Sequence, residues 1–330
     1  MNIHTVARIC SKVGLFRLAY FLNRNRKRII TFHNVLSDDV YVKNVANGVS
    51  CSLSQFKTIV ETVGKRFGFS LDLNDPKTVT VTFDDGYANQ ASVAAPVLIS
   101  KRIPAYLFVS GQLLDITKGE LTIDKLLHWV SYAPEGDYHL AFNDKSVDFK
   151  LDDSNRQKVW SKLIWPAFIE DIESKGSTLL GALNMVYPYE VIRSSLSERY
   201  INQRLEGVTA EQIAFLKSNG WEIGWHTYSH YPVSLLAPDE KQRELSPLGE
   251  CDSSVMSFPY GGISDVDNES IEIVRQSGFD SALSNINLVN EHSGNYYRSR
   301  MSLPADPLLI DFELSGLKYF LKYRKLLPKI

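Results

Sequence analysis

The run Val79-Thr-Val-Thr-Phe-Asp-Asp-Gly86 ends an apolar, β-branched segment in two adjacent carboxylates. A strand has no structural need for Asp84 and Asp85 side by side at its tip. Like charges repel there, and burying either is costly without a cation or hydrogen bonds to compensate. A bound divalent metal resolves the problem: one carboxylate ligates it, and the other acts as a base toward a metal-bound water. Gly86 permits the sharp turn that brings both side chains into one cavity. Asp-Asp-Gly is also good turn chemistry, so this segment alone does not separate a metal site from a plain turn.

A second segment shifts the balance. Trp221-Glu-Ile-Gly-Trp-His-Thr-Tyr-Ser-His230 is another short strand pattern, and it runs into two of the chain's seven histidines. Imidazole is the commonest neutral metal ligand. The spacing lets His226 and His230 converge, either on one helical turn or on a strand-to-loop bend. Together the two segments supply an Asp-His-His metal set and a spare carboxylate.

Thr82-Phe-Asp-Asp-Gly86, His226-Thr-Tyr-Ser-His230 and Ser257-Phe-Pro-Tyr-Gly261 occur in that order. They resemble the first three motifs of the NodB-type polysaccharide deacetylases. The resemblance extends over Arg28 to Gly111 and Thr209 to Ser302. It implies a distorted (β/α) barrel with fewer than eight regular strands. It also implies one divalent metal, usually zinc, on Asp85, His226 and His230. Asp84 would be the general base, and the backbone N–H of Tyr260 would help hold the oxyanion.

The sequence departs from the commonest family pattern in three places. Ser257 stands where many members have an arginine, no Asp/Trp fourth motif is recognisable, and the Leu-x-His fifth motif that normally supplies the acid is missing. Thr31-Phe-His-Asn-Val35 resembles the Tyr-His-x-Val segment of a branch that acts on poly-N-acetylglucosamine-type chains. That likeness implies His33 as the acid, and a barrel-core histidine is the alternative. Arg300, in Arg298-Ser-Arg-Met-Ser302, resembles that branch's late arginine and would orient Asp84. His292, in a Gly/Ser/Asn-rich stretch, is a poor candidate for the acid.

The chemistry these residues suit is amide hydrolysis. The expected function is removal of N-acetyl groups from a sugar or glycan in bacterial polysaccharide biosynthesis. De-formylation or O-deacetylation by the same site is one alternative, and an inactive glycan-binding homologue is another. Retention of Asp84 speaks against the last, because a binding module needs no base.

The elements that must position these residues alternate as a β/α barrel requires. Strand patterns lie at 28–35, 78–84, 104–110, 221–226, 254–260, 279–283 and 296–301. Ser52 or Ser54 caps a helix whose buried stripe is Phe56, Ile59, Val60, Val63 and Phe67. Helices also read near 89–100, 209–219 and 270–277. Residues 111–206 break the alternation and read as an inserted, largely helical subdomain with a hairpin near 138–151. The insertion leaves from a strand's C-terminal end, so it should overhang the metal site. Its Trp160 and Trp165 either stack on sugar rings or form its own core. The barrel is thus split into 28–110 and 207–310.

Composition fits a soluble enzyme: 330 residues, 44% hydrophobic and 22% charged. No apolar run of 18 residues occurs, so no transmembrane helix is expected. Three widely spaced cysteines argue against a disulfide framework and for a reducing compartment. Charge is segregated. Residues 1–37 carry seven Lys/Arg and 314–330 carry five, while all 38 acidic residues lie between. Residues 1–27 read as one amphipathic helix with Val6, Ile9, Cys10, Val13, Phe16 and Tyr20 on a single face. Residues 311–330 read as a basic C-terminal helix. No small-residue cleavage site follows Val13–Leu22, so a cleaved signal peptide is not expected. These ends either pack on the barrel or dock on anionic lipid. The expectation is a cytoplasmic protein, either free or held peripherally at the inner membrane face, with no nucleic-acid partner.

Overall fold

The computed structural model describes residues 2–115, 119–249, 251–289 and 296–318. Its framework is a parallel sheet whose main strands neighbour one another in chain order. They are β1 (Arg28–Phe32), β2 (Thr78–Phe83), β3 (Ala105–Val109), β4 (Glu222–Trp225), β5 (Val255–Ser257), β6 (Ser281–Leu283) and β7 (Tyr297–Arg298). Gly68–Phe69 adds a short parallel pair beside β2. The sheet curls until Met301 bridges to Ile30 of β1. Met301 N–H donates to Ile29 O at 2.9 Å, and Met301 O accepts from Thr31 N–H at 3.0 Å. The result is the expected NodB-type (β/α) barrel.

Alternation in β2 explains its two faces. Val79, Val81 and Phe83 join one large core with Phe56, Ile59, Val60 and Val63 of the helix Leu53–Gly64. Thr80 and Thr82 alternate with them. The Thr82 hydroxyl donates to Ile30 O and accepts from Arg300. A second cluster of Ile29, Tyr106, Phe108, Val255 and Leu283 lies on that other side of the strands. Ser52, not Ser54, caps the helix Leu53–Gly64, in a reciprocal capping box with Gln55.

Several boundaries differ from expectation. β1 stops at Phe32, and Val35–Leu36 instead pairs with Cys51–Ser52. The helix near 89–100 begins as a π-turn, Gln90–Ala94, before Ala95–Ser100. Residues 1–27 form two helices, Ile3–Lys12 and Leu15–Leu22, rather than one. The break is at Gly14, whose φ of +77° ends helical geometry. Ala7, Cys10, Phe16 and Ala19 are buried against Leu309 and Phe312, whereas Ile9 and Val13 are exposed. Residues 311–314 belong to the helix Pro307–Leu314, so the chain does not start a new helix there. His292 and most of the expected C-terminal helix, 319–330, lie outside the described residues.

Residues 111–206 hold a run of helices and a hairpin, Gly136–Phe142 with Lys145–Leu151. The hairpin turns on Asn143 and Asp144, both at positive φ as a two-residue turn of this hand demands. This segment has its own core around Trp129, Leu126, Ile164 and Phe168. Among the described residues, no helix is long and apolar enough to cross a membrane.

Candidate active site

His33, Asp84, Asp85, His226, Ser257, Tyr260 and Arg300 each stand at or just beyond the C-terminal end of a barrel strand. His33 follows β1, Asp84 and Asp85 follow β2, His226 follows β4, and Ser257 ends β5 with Tyr260 three residues on. Arg300 lies two residues beyond β7. A parallel barrel gathers these ends on one face, which is why residues so far apart in sequence meet.

The backbone is bent to achieve this. Eight described non-glycine residues have positive φ, and four of them are Asp85, Thr227, His230 and Tyr260. Thr227 at +64° is unusual, because β-branched residues avoid that region. Such conformations persist only where the surroundings over-determine them, and here they bring the Asp85 and His230 side chains beside His226. Gly86 is required by space as well: a Cβ there would lie 2.4 Å from Val109 Cγ1.

Asp85, His226 and His230 are all buried, and one ligating atom from each lies within 4.8 Å of the others. His226 Nε2 and His230 Nε2 are 3.4 and 3.0 Å from Asp85 Oδ1. Neither approach makes a hydrogen bond, so Asp85 Oδ1 is buried without a donor. The Nδ1 atom of His226 faces Ser257 O at 2.8 Å, so its N–H donates there and leaves Nε2 as an acceptor. A buried carboxylate oxygen without a donor, beside the Nε2 lone pair of His226, fits a cation. Burial alone would raise the Asp85 carboxyl, but His230, His226 and His33 outweigh it and hold it well below the ordinary range.

Asp84 is fully buried beside this cluster. Arg300 grips it with Nη1 on Oδ1 and Nη2 on Oδ2, both at 2.6 Å. The Ser257 hydroxyl donates to Oδ1 at 2.9 Å. Burial pushes the Asp84 carboxyl up, yet Arg300 and His226 pull it down further, to about 2. Arg300 Nη2 reaches the Ser257 hydroxyl at 3.0 Å, so a guanidinium from just beyond the last strand stands beside this serine. Asn285 accepts from the same Nη2 at 2.8 Å.

His33 Nε2 lies 3.7 Å from Asp84 Oδ2. Burial lowers its imidazole below the ordinary value, against the opposing pull of Asp85 and Asp84. Tyr260 packs its ring on His230, with centroids 4.9 Å apart.

A cavity of about 520 Å³ opens on this cluster, within the usual range for small-molecule sites. His33, Asp85, His230 and Tyr260 line one side of it. Trp160, Trp165, Asp124 and Arg204 of the inserted segment line the other. Trp165 meets Tyr260 edge-on at 5.1 Å. Both tryptophans are half-buried on the cavity wall, so neither is only insertion core.

Three contributors escaped sequence reasoning. Gln90 donates to the carbonyls of His33 and Asp84, tying the tips of β1 and β2 together. Glu244 accepts from Tyr228 N–H and Ser229 N–H, at 2.9 and 2.7 Å, and from the Ser229 hydroxyl at 2.6 Å. It thereby shapes the loop between His226 and His230. Arg204 and Asp124 form a buried pair at 2.8 Å, and Tyr87 donates to Asp124 at 2.6 Å. Nothing in sequence spacing flags such long-range partners.

Fold and site together define a NodB-type barrel carrying an Asp-His-His cluster and a second, clamped carboxylate. No family pattern matches the sequence, and no curated protein matches it. Solved structures do. IcaB from Ammonifex degensii superposes with a TM-score of 0.51, covering 88% of this chain and 97% of that one at 15% identity. The Streptococcus pyogenes deacetylase PplD, solved with acetate, gives 0.49 over 85% and 93% at 12% identity. A de-N-acetylase from Aggregatibacter actinomycetemcomitans gives 0.47 over 85% and 96% at 15% identity. At these identities the likeness is one of fold.

Proposed function

We propose that this chain is a metal-dependent hydrolase that removes N-acetyl groups from a sugar or glycan in bacterial polysaccharide biosynthesis. One observation carries the reading: the Asp85–His226–His230 cluster is paired with a second carboxylate, Asp84, that Arg300 holds ionised. A site that only bound metal or glycan has no use for that second carboxylate.

Asp85, His226 and His230 would hold a divalent ion, with zinc expected, which when bound polarises an amide carbonyl and lowers the pKa of water. Asp84 takes the proton of the attacking water as its oxygen bonds to the carbonyl carbon. Arg300 and Ser257 keep the carboxylate oriented for this. The N–H of Tyr260, which has no acceptor among the described residues, donates to the oxyanion of the tetrahedral intermediate. The C–N bond then breaks as His33 protonates the departing nitrogen, giving acetate and a free amine. His33 rests neutral, so it must gain its proton during turnover, and Asp84 Oδ2 is the nearby source. Trp160 and Trp165 offer aromatic faces to the sugar. The reading includes a cytoplasmic enzyme that meets its glycan at the inner membrane face.

The test combines two measurements. Metal-loaded protein is assayed for acetate release across a panel of N-acetylated glycans. Acetate and free amine in equal amounts are expected. Metal content is compared in Asp85→Ala, His226→Ala and His230→Ala, and should fall in each. Undiminished occupancy in all three would remove the site. No acetate release by metal-loaded protein across the panel would overturn the activity.

A further inference from the structure

The helix Leu15–Leu22 has an unusual surface. Its sequence, Leu-Phe-Arg-Leu-Ala-Tyr-Phe-Leu, holds one charged residue. Phe16 and Ala19 are buried against the helix Pro307–Leu314. The opposite side is also apolar: Leu18, Phe21 and Leu22 are 52%, 61% and 66% exposed. A surface helix that is apolar all round buries its second face in something else. The preceding helix, Ile3–Lys12, extends the patch with Ile9 and Val13, 49% and 65% exposed. Six of the fourteen large hydrophobics exposed among the described residues fall between Ile3 and Leu22, in these two helices and the turn that joins them. That concentration sets it apart from the scattered apolar residues normal on a surface.

Charge says what covers the patch. Arg8, Lys12, Arg17 and Arg24 are exposed on and beside these two helices, and residues 2–37 contain no acid. Arg24 lies over the Phe21 ring at 4.4 Å. Leu317 packs in the same cluster as Ala7, Cys10 and Phe16. The sequence after Lys318 carries Lys322, Arg324, Lys325 and Lys329 and no acid. A protein partner would have to be acidic around an apolar centre. The body of this chain, where all 38 acidic residues lie, would pair with the basic rim but offers no comparable apolar patch among the described residues. An anionic bilayer offers both parts at once: phosphates for the arginines and lysines, and an acyl boundary for Leu18, Phe21 and Leu22.

We propose that the two N-terminal helices form a docking surface for anionic membrane, lying in the interface with Leu18, Phe21 and Leu22 inserted. The helices are too short to span and have their inner faces committed to the barrel, so the attachment is peripheral and reversible. This proposal does not depend on the activity proposed above.

The experiment is co-sedimentation of the full chain with vesicles of phosphatidylglycerol mixed with phosphatidylcholine, against phosphatidylcholine alone. Binding to the anionic vesicles at low salt, released by high salt, is expected. A Leu18→Ser, Phe21→Ser, Leu22→Ser triple variant should lose about tenfold or more of that binding. These side chains are exposed, so its thermal melt and its metal content should match the parent. An Arg8→Glu, Lys12→Glu, Arg17→Glu variant should lose the anionic preference. Absence of binding at low salt would overturn the proposal, as would binding that the triple variant leaves unchanged. A concentration-dependent dimer abolished by the triple variant, without lipid binding, would reassign the patch to a second copy.

Discussion

Arg300 and Asp84 meet as a planar, two-bonded pair with both side chains fully buried. The pair explains how an isolated carboxylate survives next to Asp85: the guanidinium, not the solvent, balances its charge. Asp84→Asn should keep the shape and the metal but cannot accept a proton. Turnover should fall about 10²–10⁴-fold with unchanged metal content. Arg300→Ala leaves a buried carboxylate unpaired and should cost about 3–5 kcal/mol of stability, read as a lowered urea midpoint. Arg300→Lys should recover part of the stability but less of the turnover, because an ammonium cannot make the two-pronged contact. Near-native hydrolysis by Asp84→Asn would rule it out as the base.

His33 should behave as a proton donor to the leaving group. His33→Ala is expected to spare folding and metal content and to cut amide turnover by about 10²-fold or more. An activated ester, whose leaving group needs little protonation, should lose much less. Equal losses on the two substrates would mean that His33 only supports the cavity wall.

Much of the candidate site was legible because its residues sit in short local motifs at strand ends. Asp84-Asp85-Gly86 and His226…His230 each carry their own spacing, and the barrel rule then puts their strand tips on one face. Arg300 was reachable only by likeness, since its partner lies 216 residues earlier. Glu244, Gln90 and the Asp124–Arg204 pair left no trace, because hydrogen bonds to backbone groups and across long loops impose no periodicity. The N-terminal helix failed as a single element for a local reason. Its hydrophobic repeat runs on through Gly14, and only the positive φ there breaks it. The exposed half of Leu15–Leu22 was hidden for the converse reason, since periodicity marks an apolar face without saying what covers it.

Glu244 should tune metal affinity from a distance. It ends the helix Pro238–Glu244, where a carboxylate sits unfavourably against the helix dipole. Three donors from Tyr228 and Ser229 offset this and hold the loop in its strained form. Glu244→Ala should weaken metal binding about 10–100-fold, measured by titration of metal-free protein. Glu244→Gln keeps one acceptor and should fall between. Unchanged affinity in Glu244→Ala would show that the loop is held by other contacts.

His128 should make the inserted segment acid-sensitive. It is fully buried, with its Nδ1–H donating to Asp124 O at 2.7 Å and its Nε2 accepting from the Tyr200 hydroxyl at 3.0 Å. Both contacts suit the neutral ring. Burial, with Arg204 nearby, lowers its pKa to about 3. The sign follows from linkage. As pH falls below the unfolded value of about 6.5, the unfolded chain takes up a proton that the folded chain refuses. Stability contributed by the neutral ring is therefore full above that value and is lost progressively as pH falls toward about 3. Each pH unit in that window is worth at most about 1.4 kcal/mol. The urea midpoint should drop between about pH 6.5 and pH 4.5, and His128→Gln, which cannot titrate, should show a shallower drop despite a lower starting stability. The difference between the two slopes isolates His128 from Asp124 and the histidines of the barrel. Parallel slopes would mean that the folded protein accepts the proton at its ordinary pKa, and that the ring is not sealed between Asp124 and Tyr200.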